Sequence, residues 1–187
     1  GNSPAAFRPG GFLTRCILRH NPLNGTPPTG LGRLAAITSN FRIDYNSLRG
    51  TLATQFGNMV NMTSYFDINR NSLTGPVPTQ FGNMVAMTSY FNLGYNSLTN
   101  SLPTQFGNMV AMTSYFLLTS NTLSGTLPTE IGEAGFYRGV YLDSNRLTGT
   151  LPTELGALGL ATDAGAYFNL DSNSICGTIP SEVAALS

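Results

Sequence analysis

Lysine is missing from the chain altogether: all nine basic side chains among its 187 residues are arginine, so lysine chemistry is excluded. Charge of either sign is scarce, at 10% of residues against about 25% in ordinary soluble domains. The surface must therefore be polar and largely neutral. The net charge is zero, which removes the basic footprint of a nucleic-acid binder. No apolar run approaches the roughly 18 residues that a membrane span needs. One histidine, His20, leaves no convergent His, Asp and Ser set for nucleophilic catalysis. Zinc-ligand spacing is absent, and a pair such as Asp143 and Asp171 is an incomplete site for a hard metal ion. No enzyme activity, cofactor or metal is expected.

Periodic order fills the space that chemistry leaves. The segment PTQFGNMVAMTSYF occurs identically at residues 78–91 and 103–116, with a near copy, ATQFGNMVNMTSYF, at 53–66. The pattern N-x-[LI] places Asn21, Asn46, Asn71, Asn96, Asn121, Asn145 and Asn173 at equivalent sites, spaced 25, 25, 25, 25, 24 and 28 residues apart. These asparagines number the repeats one to seven. Five and three positions before each stand apolar residues: Cys16 and Leu18, Phe41 and Ile43, Phe66 and Ile68, Phe91 and Leu93, Phe116 and Leu118, Val140 and Leu142, Phe168 and Leu170. That alternation is the period of a half-buried strand. Short units in tandem bury a core by stacking, with their strands paired into a parallel sheet spaced about 4.8 Å.

After the asparagine the chain reads N-x-L-x-G-x-[LVI]-P-[TS]-[QE]-[FIL]-G, most fully from Asn121 to Gly132 and from Asn145 to Gly156. This resembles the plant-specific subclass of the leucine-rich-repeat family. The resemblance covers residues 13–187 and implies an α/β, right-handed solenoid of about seven repeats. A parallel sheet would line its concave face and short 3₁₀ helices or turns its convex face. Residues 1–12 form a lead-in. The family binds protein or peptide partners on the concave side, as in the ectodomains of receptor-like proteins.

Physical reasoning assigns each column a task. A buried carboxamide donates and accepts at once, so the asparagine ladder is expected to satisfy backbone groups at the bend. Thr54, Thr79, Thr104, Thr129, Thr153 and Ser181 stand where a hydroxyl cap would start a short helix. Phe56, Phe81, Phe106, Ile131, Leu155 and Val183, followed by Met59, Met84 and Met109, fill the core beneath. The 25-residue repeats hold one residue more than the usual turn, and a bulge is expected in their M-T-S-Y-F stretch. An extra loop is expected around Ala161 to Ala166. Repeat one is degenerate, with Pro22 beside Asn21.

Concave positions are those that alternate with the core. Of these the expected partner-binding residues are Arg15, Arg19, Arg42, Asp44, Tyr65, Asp67, Asn69, Tyr90, Asn92, Tyr115, Leu117, Tyr141, Asp143, Tyr167 and Asp171. Tyr65, Tyr90, Tyr115 and Tyr167 share one column, and tyrosine suits an interface. Repeats three to five are near copies, so duplication explains part of that column. The differences among Asp67, Asn92 and Leu117 at one position of copied turns would set specificity. A second function class is a structural or accessory subunit of a larger assembly, docked by its ends or convex face. The split of charge supports it: seven Arg against two Asp over residues 1–93, and two Arg against seven acidic residues over 94–187. The chain stops partway through an eighth turn, so a longer protein, or neighbouring subunits covering the ends, is expected. A third class is ice binding by regular threonine columns. The sequons at Asn24 and Asn61 are possible glycosylation sites and fit an extracellular or otherwise exported protein. Cys16 and Cys176 lie six turns apart, roughly 29 Å at about 4.8 Å per turn, too far for a disulfide within the chain.

Overall fold

The computed structural model describes residues 13–34, 36–136, 138–158 and 166–184. The lead-in at 1–12 and residues 161–165 of the expected loop lie outside that set. Each repeat begins with a three-residue strand: Arg15–Ile17, Asn40–Arg42, Tyr65–Asp67, Tyr90–Asn92, Tyr115–Leu117, Gly139–Tyr141 and Tyr167–Asn169. These pair in chain order into one seven-stranded parallel sheet. Equivalent residues face one another, so Phe66 lies between Phe41 and Phe91. Their rings stack almost parallel at 5.4 and 5.3 Å, while Phe81 meets Phe66 edge-on. Offset and edge-on arrangements are those the ring quadrupole favours.

The asparagine ladder locks one turn to the next. Asn96 donates from Nδ2 to the carbonyls of Leu93, Gly94 and, one turn back, Ile68 at 3.1–3.2 Å, and accepts the Leu73 N–H at 3.1 Å. The same set of bonds recurs from Asn46 to Asn173. Asn21 bonds only to Leu18 and Arg19 of its own turn. Leu18, placed in the core by alternation, is 40% exposed because no described turn covers it.

A second set of short strands follows the asparagines, unanticipated in the sequence reading. Asn24–Gly25, Ser47–Thr51, Ser72–Pro76 and Ser97–Thr99 form one parallel sheet, and Ser124–Gly125, Arg146–Gly149 and Ser174–Ile175 another. Leu48, Leu73 and Leu98 point inward and are buried. Among the described residues the convex side carries six 3₁₀ helices, Thr29–Arg33, Thr54–Asn58, Thr79–Asn83, Thr104–Asn108, Thr129–Glu133 and Thr153–Ala157, and a short α-helix, Ser181–Ala184.

One expectation needs correction. The threonine hydroxyls do not cap these helices: the cap position belongs to the preceding Pro or Ala and carries no side-chain bond. Thr129 and Thr153, already inside the first turn, donate instead to Glu130 and Glu154. In the M-T-S-Y-F stretch Thr88 donates both its N–H and its hydroxyl to the Thr63 carbonyl, at 2.8 and 2.9 Å, so the stretch extends the ladder. Met62, Met87 and Met112 lie wholly buried there, a second methionine column beside Met59, Met84 and Met109.

Candidate functional site

Tyrosine rings project from the concave sheet as a continuous strip. Tyr65, Tyr90, Tyr115, Tyr141 and Tyr167 follow one another with ring centroids 5.4, 6.3, 6.4 and 6.3 Å apart. The sequence column breaks at Gly139, where the sixth repeat has no side chain. Tyr141, two residues on, leans into the gap: a Cβ on Gly139 would lie 2.6 Å from the Tyr141 Cε2 and 3.0 Å from the Tyr115 ring. Glycine thus permits the strip rather than interrupting it.

A second aromatic row borders the sheet and was missed in the sequence. The residue directly before each ladder asparagine has a left-handed backbone: His20, Tyr45, Arg70, Tyr95, Ser120, Ser144 and Ser172, with φ between 50° and 56°. Such φ costs a non-glycine residue roughly 1–2 kcal/mol. It directs successive N–H groups to the next turn, as when Tyr45 and Asn46 donate to the carbonyls of Asn69 and Arg70. In the first four repeats these side chains stack. His20 lies on Tyr45 at 4.3 Å, and the Arg70 guanidinium is 5.1 Å from the Tyr45 centroid and 4.2 Å from that of Tyr95. The only sequence signal was the order His, Tyr, Arg, Tyr at one position.

Between the two rows runs a groove of about 370 Å³. Tyr45, Arg70 and Tyr95 line it from one row, and Tyr90 and Tyr141 from the other. Polar residues share the lining: Asn69, Asn92, Thr119, Asp143 and Asn169, with Gly94 and Leu117. The Oδ1 of Asn69 is buried without a hydrogen-bond partner.

Four charges of the first three repeats, Arg19, Arg42, Asp44 and Asp67, pair with one another. Asp44, wholly buried, sits 3.1 Å from the Arg19 Nε and 3.4 Å from the Arg42 Nε. These are close ion pairs whose atoms are not aligned as hydrogen bonds. Arg42 also donates from a terminal nitrogen to Asp67 at 3.2 Å. Burial, then the nearby Asp44 charge, pushes the Asp67 carboxyl up to about 6, against the opposing pull of the Asn69 N–H and Arg42. Burial and the Asp67 charge push the Tyr90 hydroxyl up as well, so it stays protonated.

The expected contact residues divide accordingly. Asp44 and Asp67 are buried, at 0 and 1% exposure, and are not surface contacts, while Asn92, at 5% exposure, lies in the groove lining. Concave packing crowds their outward-facing positions, and their polar atoms are turned to internal work. Asp67 accepts the Asn69 N–H, and Asn92 accepts the Gly94 N–H while donating to the Tyr90 hydroxyl. The variation from Asp67 to Asn92 to Leu117 therefore has an internal component. Asn69, Tyr90, Asn92, Leu117, Tyr141 and Asp143 line the groove. Tyr65, Tyr115 and Tyr167 extend the tyrosine strip, while Arg15 and Asp171 are exposed on the first and seventh repeats. Asn24 and Asn61 are exposed away from the groove, on a strand of the second sheet and a convex turn. Cys16 is buried and Cys176 exposed, and both are free thiols. Among the described residues no three His, Cys, Asp or Glu side chains come together, and no helix is long and apolar enough to cross a membrane.

No family model and no curated protein matches the sequence. Solved structures do. The leucine-rich-repeat ectodomain of the Arabidopsis thaliana receptor kinase GASSHO1/SCHENGEN3, in complex with Casparian strip integrity factor 2, is 35% identical over 90% of this chain, with a TM-score of 0.81. The chain is a leucine-rich-repeat solenoid, similar to plant receptor ectodomains. The plant peptide hormone receptor RGFR1, in complex with RGF2, matches 91% of the solenoid at 27% identity and a TM-score of 0.75. A plant ice-binding protein matches 89% at 25% identity and a TM-score of 0.74. The solenoid spans 19% of the first of these chains, 30% of the second and 51% of the third.

Proposed function

We propose that the solenoid is a non-catalytic binding scaffold that seats an extended protein or peptide segment in the groove between its two aromatic rows. The groove itself carries this reading. Its walls are tyrosine rings, which give contact area at low entropic cost, and its polar lining offers partners for a backbone running across the strands. The similar structures that hold a peptide hormone or an integrity factor support it. The test is a binding screen of peptides and secreted proteins against wild type and Tyr90→Ala/Tyr141→Ala. Binding lost in the variant, with its unfolding midpoint held, is expected. A partner that binds both proteins equally would move the site to the convex face or the ends, as the accessory-subunit reading requires.

A specific observation favours a second reading, ice contact through the second sheet. Thr51 lies opposite Thr74, Thr74 opposite Ser97, and Thr148 opposite Ser174 on hydrogen-bonded strands. The Thr51 methyl packs over Gly75, where a Cβ would come within 2.9 Å of it, so that side chain is held in place. Uncharged hydroxyls at about 4.8 Å intervals suit a layer of ordered water, and the similar ice-binding protein supports the idea. Thermal hysteresis that disappears in Thr74→Lys/Thr148→Lys is the expected result. Its absence in the wild type would dispose of this reading.

A further inference from the structure

We infer that the groove is polarised and reads charge spacing: Arg70 receives an anionic group and Asp143 a cationic group of the same extended segment, about four residues apart. This rests on the groove being the peptide site proposed above.

The contrast between these two residues and the ion-paired cluster of the first three repeats carries the inference. Arg19, Arg42, Asp44 and Asp67 neutralise one another at 3.1–3.4 Å. Arg70 and Asp143 line the groove, and neither has an ion partner among the described residues. Arg70 is held rather than loose. Tyr45 and Tyr95 flank its guanidinium at 5.1 and 4.2 Å, which occupies the planar faces and leaves the N–H edges for a ligand. A guanidinium offers a rigid fork there, matched to a carboxylate. Tyr45 and Tyr95 are positioning residues for that fork.

Asp143 is prepared in its own way. The Thr119 hydroxyl donates to its Oδ1 at 2.8 Å and the Ser144 hydroxyl approaches its Oδ2 at 3.5 Å, which orients the carboxylate without neutralising it. Arg70 belongs to the third repeat and Asp143 to the sixth. Three strand spacings of about 4.8 Å separate them by roughly 14 Å, and an extended chain rising about 3.3 Å per residue covers that in about four residues. A segment with one acidic and one basic side chain at that separation meets both ends of the groove. A like-charged pair meets repulsion at one of them.

The test measures fluorescence anisotropy of end-capped, labelled peptides carrying one Asp and one Lys. The charges stand about four residues apart in either order, next to each other, or replaced by Asn and Gln. The spaced pair is expected to bind at least about tenfold more tightly in one order, since each of its charges gains a charge-assisted hydrogen bond that the neutral peptide lacks. Arg70→Gln should remove the advantage of the Asp and Asp143→Asn that of the Lys, with Arg70→Lys restoring part of the first. Equal affinity for spaced, adjacent and neutral peptides, with binding still abolished by Tyr90→Ala/Tyr141→Ala, would overturn charge reading and leave the groove as the site. Failure of every peptide to bind would overturn the groove as a peptide site and this inference with it.

Discussion

Replacing Asp67 by asparagine should stabilise the solenoid at neutral pH, although it removes one member of an ion-pair cluster. Asp67 is almost wholly buried, and its carboxyl is raised from 3.8 to about 6. The folded chain therefore holds this proton more tightly than the unfolded chain does. The associated stability is fully present below about pH 3.8 and is lost as pH rises through about 6. Two pH units at 1.36 kcal/mol each make the loss about 3 kcal/mol. Asparagine imitates the protonated acid, still accepts the Asn69 N–H, and leaves Arg42 its contact with Asp44 at 3.4 Å. Urea denaturation followed by far-ultraviolet circular dichroism, at pH 4 and at pH 7.5, reads the difference between the two proteins. Other titrating groups cancel in that difference. Asp67→Asn should nearly match wild type at the lower pH and exceed it by up to about 3 kcal/mol at the higher. A variant less stable than wild type at pH 7.5 would show that pairing with Arg42 outweighs burial, and the reasoning would fail.

Other outcomes follow from the ladders and the strip. Asn121→Ala leaves the Leu98 N–H without its partner and takes one of two ladder bonds from each of the Leu93 and Leu118 carbonyls, which keep Asn96 and Asn145. At about 1–3 kcal/mol for that buried donor and about 0.5–1.5 kcal/mol for each of the two carbonyl bonds lost, it should cost about 2–6 kcal/mol in urea titration, and Asn21→Ala, at an exposed site, much less. Gly139→Ala places a methyl 2.6 Å from the Tyr141 ring. It should displace that ring, change the near-ultraviolet dichroism of the tyrosines and cost about 1 kcal/mol in lost ring pairing. Burial pushes the Cys16 thiol up, whereas Cys176 is exposed. A maleimide should modify Cys176 alone in the native state and both thiols in urea, as mass spectrometry would show.

Much of the solenoid was legible because its columns answer to local chemistry. The ladder from Asn46 to Asn173 could be read from spacing, since only a carboxamide both donates to carbonyls and accepts an N–H at that bend. The Phe41 to Phe116 stack followed from alternation. The second sheet also had its signal, Ser47-Leu48-Arg49 and its equivalents alternating in and out, but glycine and proline nearby made the segment look like a turn. The groove was less legible. Positive φ at Tyr45, Arg70 and Tyr95 leaves no mark in a non-glycine residue, so the second aromatic row stayed hidden. Tyr141 enters the strip from a different strand position than the other tyrosines, a move visible only once Gly139 is seen beside it. Alternation placed Asp44, Asp67 and Asn92 outward correctly, yet it says nothing of how neighbouring turns close over them.

The asparagine and threonine ladders refer only to the adjacent turn: Asn96 reaches Ile68 and Leu73, and Thr88 reaches Thr63. A unit that consults only its neighbours can be copied whole. Splicing out residues 78–102, one complete period, would bring equivalent partners together on either side of the junction. The fold would close over the cut, and the groove would lose one rung between Arg70 and Asp143. Turn number is thus a ruler, and a gene duplication or deletion of one period would reset the spacing of whatever the groove measures.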